Sequence, residues 1–159
     1  MKNAVLVKHL VELLRGGHAH VTFDDAVKKF PFDQVGTRPK GFPHSAWELL
    51  EHLRIAQHDI LRFSQDADYV SPPFPEGYWP VSPAPESEAK WKKSVRDFRR
   101  DLAAFERLLA EREGQLDKPF PWGQSQTLLR EALLIADHNA YHLGQIVLVR
   151  QLLGIWPAR

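Results

Sequence analysis

Between residues 91 and 109 the apolar side chains Trp91, Val95, Phe98, Leu102, Phe105 and Leu109 follow one another at steps of four, three, four, three and four. That period places all six on one narrow stripe of a helix, and such a stripe leaves water by packing along other helices. A chain built around it is therefore expected to be all-α. Three more segments carry helical spacing. In 2–15, Val7, Leu10, Val11 and Leu14 stand at i, i+3, i+4, i+7, and Gly16-Gly17 stops the run. In 46–66, Ala46, Leu49, Leu53, Ala56 and Ile60 form one face, and Ser45 with Glu48 reads as a capping box. The segment 126–153 is apolar on most sides, which predicts the most buried helix, with Ser125 or Thr127 as its cap, Gly154 after it and Pro157 beyond. The seam segment itself runs over 86–113, with Gly114 as the C′ residue.

The expectation is a four-helix bundle in one domain over 1–159, with two elaborated connections. Residues 16–44 hold a short helix in TFDDAVKKF, capped by Thr22 with Asp25 and apolar at Phe23, Ala26, Val27 and Phe30. Residues 67–85 contain six prolines, which forbid regular structure, together with Phe74, Tyr78 and Trp79, which argue that the stretch packs on something.

Composition narrows the function. With 21 basic against 20 acidic residues and no single-sign block, no nucleic-acid footprint is expected. No stretch is apolar enough to span a membrane, and MKNAVLVKHLVELLRGG does not read as a signal peptide, so the expected compartment is the cytoplasm. The chain has no cysteine. Disulfides, zinc–thiolate sites and a thiol nucleophile of its own are thereby excluded.

Eight histidines remain. His138 and His142 stand four apart in the last helix and project from one face, the spacing at which one helix offers two imidazoles to one metal. The same pair is equally read as two histidines that are hydrogen-bonded or partly exposed. The second helix favours the metal. At about 100° per residue, His52 lies about 80° from the centre of the apolar face, at the border where helices meet, whereas His58 falls on the opposite, solvated face. His52, His138 and His142 then form a three-histidine set with open coordination positions, as catalytic sites have. No histidine has Glu three residues before it, HExxH is absent, and so is G-x-S-x-G, which sets aside di-iron, zincin and serine-hydrolase readings.

The stretch PKGFPHSAWELLEHL (39–53), followed by DHNAYHLGQIVLVRQLLG (137–154), resembles the DinB/YfiT-like superfamily of metal-binding four-helix bundles. The resemblance implies up-down-down-up connectivity and a homodimer. It also implies a divalent metal on His52, His138 and His142, and for some members transfer of a low-molecular-weight thiol. Zinc or nickel is expected, with iron and copper also open, since neutral imidazoles suit all four. Such a centre activates water or an incoming thiol toward a small-molecule substrate. The alternative is a non-catalytic bundle that acts through association.

Around the triad, Glu48 reads as an orienting partner of His52 or simply as the partner of Ser45. Gln145 reads as a contact to bound water or substrate, or as half of a buried polar pair. Tyr141 reads as a pocket hydroxyl or a core aromatic, and Gly144 as a point of close backbone approach. His20, in GGHAH with His18, reads as a swinging ligand or acid/base, or as an exposed loop residue. His44 reads as a surface or capping residue, His9 as a surface group, and Trp47, Phe120 and Trp122 as pocket wall or core.

Overall fold

The computed structural model describes residues 3–156. Five α-helices appear in chain order: α1 Ala4–Arg15, α2 Phe23–Val27, α3 Ala46–Gln65, α4 Glu88–Glu111 and α5 Leu128–Leu152. Three 3₁₀ turns occupy parts of the connections, and no strand forms among the described residues. Start signals in the sequence act as read. The Ser45 hydroxyl accepts from the Glu48 amide while the Glu48 carboxylate accepts from the Ser45 amide, a complete capping box. Thr127, not Ser125, caps α5, and Thr22 caps α2. The expected start of the first helix at residue 2 and the proline at 157 lie outside the described residues.

Two glycines act otherwise than expected. α4 stops at Glu111, and Gly114 falls in a 3₁₀ turn without a left-handed φ. Gly144 stands in open space with nothing near an added Cβ, so no backbone approaches it.

Two apolar clusters fix the topology. One joins the first halves of α3 (Leu49, Leu50, Leu53) and α4 (Trp91, Val95, Phe98) to the second half of α5 (Leu143, Ile146, Val149), with α2 against it. The other joins Leu61 of α3 and Phe105, Leu108 and Leu109 of α4 to Leu128, Ala132 and Ile135 of α5, with Leu10 and Leu14 of α1. α3 and α4 therefore run parallel and α5 opposes both. α1 opposes α4, because Arg15 pairs with Glu106 while Asn3 reaches the carbonyl of Glu113. The order is up-down-down-up. The seam of α4 is buried throughout except at Leu102, which is half-buried and packs against both clusters.

α5 is not the most buried helix. Eleven of its twenty-five residues are buried, against twelve of twenty in α3, because Leu133, Tyr141, Leu148 and Leu152 face outward.

Parallel α3 and α4 dictate the crossover. α3 has twenty residues and so spans about 30 Å, a length the chain must retrace before α4 can begin. The proline-rich segment makes that return along the outside of α3. It is tied down where the Ser45 hydroxyl donates to the carbonyl of Pro83 (2.5 Å) and where Gly36 meets Ala84. A Cβ at Gly36 would stand 2.4 Å from that of Ala84, so only glycine lets the two long connections touch.

Candidate metal centre

The return path crosses α3 at His52. This histidine lies in the second turn of α3, whose register the Ser45 cap sets; His138 and His142 lie one turn apart at mid-α5. Antiparallel packing brings the three together, with one ligand atom from each within 4.8 Å of the others. Ring centroids are 4.6–4.8 Å apart in all three pairs.

Hydrogen bonds orient the rings. The Nδ1 of His52 lies 2.8 Å from the Tyr78 carbonyl, which can only accept, so Nδ1 carries the proton and Nε2 is a bare lone pair. The Nδ1 of His142 lies 2.6 Å from the Gln145 Oε1 and is fixed the same way. The Nε2 atoms of His52 and His138 face each other at 3.0 Å. Two lone pairs at that separation repel unless a proton or a cation lies between them. Nitrogens each about 2.0–2.1 Å from one ion stand about 3 Å apart at ordinary bond angles, so the His52–His138 pair has the spacing of two ligands on one divalent cation, and three imidazoles have the chemistry for it.

Trp79 completes the support. Its indole stacks on His52 at 3.9 Å and 3° and on His44 at 4.4 Å and 14°. Burial holds all three histidines below the ordinary imidazole range. His138 and His142 fall to about 4, with the neighbouring imidazoles adding to the shift, while the Gln145 oxygen opposes it at His142. At His52 the Tyr78 carbonyl opposes the burial effect. All three rings are thus neutral near pH 7, the form that ligates metal.

The remaining candidates divide. Gln145 joins the cluster as the hydrogen-bond partner of His142. Tyr141 lays its ring 4.9 Å from that of His142, but the residue is 65% exposed rather than core. His20 stands apart from the three, its Nδ1 on the Val21 carbonyl (2.8 Å). Glu48 serves the Ser45 cap and pairs with Arg38; the Tyr78 carbonyl, not Glu48, orients His52. His58 is not merely solvated: its Nδ1 bonds to Asp101 of α4 at 2.9 Å. His44 is half-buried against Trp79, and His9 pairs with Glu12 at the surface of α1. Trp47 is core. Phe120 and Trp122 stack on each other in the far cluster, where Trp122 donates to the Phe63 carbonyl. The contacts of Tyr78 and Trp79 to His52 were missed by the sequence reading; two consecutive aromatics in a proline-rich crossover were the available sign.

The family model of the DinB superfamily matches residues 18–146, a span that holds all three histidines. The chain belongs to the DinB superfamily. No curated protein and no solved structure matches it. Membership accords with the up-down-down-up bundle expected from the resemblance. The three-histidine group of this DinB-superfamily chain is compatible with metal binding; neither membership nor geometry names the metal.

Proposed function

We propose that the chain is a divalent-metal-dependent enzyme, with zinc or nickel on His52, His138 and His142, that activates a low-molecular-weight thiol or water for attack on a small electrophile. The observation that carries the proposal is the convergence of three neutral imidazole nitrogens, two with their tautomers set by carbonyl oxygens, and no thiolate or carboxylate among them. When bound, the cation supplies a positive charge that favours the deprotonated form of a thiol or water beside it.

The protein's own groups do the rest. Tyr78 and Gln145 hold the protons of His52 and His142 on the nitrogens turned away from the cluster, so the ligand lone pairs point inward. Trp79 covers a face of the His52 ring and keeps water from that side. Tyr141, exposed beside His142, stands where an entering substrate can meet an aromatic surface. With no cysteine in the chain, any sulfur transferred belongs to the cosubstrate.

The proposal includes self-association. Leu133, Leu148 and Leu152 are all exposed and fall within about a 100° arc of α5, a row of apolar side chains that a second copy would cover.

The activity is tested by assaying transfer of a small cysteinyl thiol to activated alkene and epoxide acceptors, and hydrolysis of activated esters and amides. Chelator-stripped and metal-reloaded protein are compared. Turnover that disappears on stripping and returns with the cation supports the reading; turnover indifferent to the cation, or none in either assay, contradicts it.

A further inference from the structure

Asp59 stands two turns after His52 on α3. At that spacing the two side chains share a face within about 20° and lie about 10 Å apart along the axis. One residue of the crossover bridges the distance. The Nδ1–H of His52 donates to the Tyr78 carbonyl at 2.8 Å, and the Tyr78 hydroxyl donates to Asp59 Oδ2 at 2.7 Å. A tight turn presents Tyr78 in this pose: the Gly77 amide donates to the Pro73 carbonyl at 2.7 Å and the Tyr78 amide to the Pro75 carbonyl at 3.2 Å. Apolar burial holds little of the chain leading into it, since Val70 and Phe74 are exposed. Asp59 is buried, and Tyr69 turns its hydroxyl to the same carboxylate. Burial raises both phenols above their ordinary range and the Asp59 carboxylate adds to the rise, so both stay protonated as donors.

We propose that Asp59 is a positioning residue of the histidine cluster: by holding the Tyr78 hydroxyl it fixes the Tyr78 carbonyl behind His52, and with it the proton on Nδ1. The consequence for a cation rests on the metal-dependent function proposed above; the geometry does not. A neutral imidazole carries its proton on either nitrogen, and the hydrogen bond made by one decides the state of the other. If the carbonyl drifts, the proton is free to move to Nε2, and a protonated nitrogen cannot ligate. A carboxylate commonly supports a ligand histidine by direct contact. Here it acts at one remove, through a tyrosine. Both ends of the bridge stand on α3, whose own hydrogen bonds keep their separation constant. A charged acceptor also makes the phenol bond stronger than a neutral one would. The same anchor serves Trp79, the next residue, whose indole stacks on His52 at 3.9 Å. Tyr69 shares the carboxylate but makes no hydrogen bond to the three histidines, so it supplies a built-in comparison.

The test compares Tyr78→Phe, which removes the hydroxyl and keeps the carbonyl, with Tyr69→Phe, which takes a phenol from the same carboxylate. Long-range nitrogen–proton NMR spectra of metal-free protein read the His52 tautomer, and competition against a chromophoric chelator reads zinc affinity. The wild type should carry the proton on Nδ1. Tyr78→Phe should move it in part to Nε2 and weaken zinc about ten-fold, the low end of the range for a lost ligand support. Tyr69→Phe should change neither. Asp59→Ala should match Tyr78→Phe, and the double variant should lose no more than either, because both remove one bond. Asp59→Asn keeps an oxygen acceptor and should restore most of the loss. If Asp59→Ala does not fold, the two tyrosine variants decide. An unchanged tautomer in Tyr78→Phe, an equal effect in Tyr69→Phe, or additive losses in the double variant would overturn the proposal. The tautomer is read without metal, so a wild type that takes up no zinc would contradict the proposed function while the spectra still decide this inference.

Discussion

At His52 and His142 an oxygen behind the ring determines what the nitrogen in front can do. Gln145 Oε1 lies 2.6 Å from the His142 Nδ1. Replacing Gln145 with alanine frees the ring to turn and to change tautomer, so metal affinity should fall about 10–100-fold, the usual cost of losing such a partner. Competition against a chromophoric chelator measures this, and unchanged helical circular dichroism would show that the fold is intact. Proton competition gives a second expectation. His138 and His142 titrate at about 4 in the folded chain against 6.5 ordinarily. Between these values the unfolded chain binds more protons than the folded one, so stability rises with pH through the window and is lost as pH falls. Melts of metal-free protein should therefore show Tm dropping from about pH 6.5 toward 4, and His138→Gln should flatten the drop. An equal drop in the variant would argue against the assignment.

Among the elements, α4 shows what the seam contributes. Phe98 is 1% exposed and its ring stacks on Phe23 at 4.0 Å, so Phe98→Ala should cost about 3–5 kcal/mol. Ser45→Ala, which removes one cap and the tie to the Pro83 carbonyl, should cost about 2 kcal/mol. Denaturant melts separate the two, and a larger loss at Ser45 would contradict the packing described. Caps were legible in the sequence because Ser45, Thr22 and Thr127 act within three residues of themselves. The seam was legible because burial against helices imposes its own period. The outward face of α5 was not, since a helix apolar on most sides does not say which side its neighbours leave open. The end of α4 was misplaced because glycine is common at helix ends without being required there, and Gly114 sits one residue beyond the C′ position.

For the whole molecule, parallel α3 and α4 force the crossover to retrace about 30 Å, and that return lays Tyr78 and Trp79 on His52. This relation spans 26 residues of chain through a segment with no period to read, so the grouping of the three histidines was legible while its supports were not. The DinB-superfamily fold thus holds the candidate centre between α3, α5 and the proline-rich crossover. The apolar stripe of α5 carries an expectation of its own. Light scattering should give twice the chain mass, and Leu148→Glu should return the protein to a monomer. A wild type already monomeric at high concentration would remove the dimer.

The most direct test of the central claim is elemental analysis of untagged protein beside its His52→Ala, His138→Ala and His142→Ala variants. One divalent cation per chain in the wild type, lost from each folded variant, is the predicted result. Equal metal content in wild type and variants, or none in any after incubation with zinc and nickel, would contradict it.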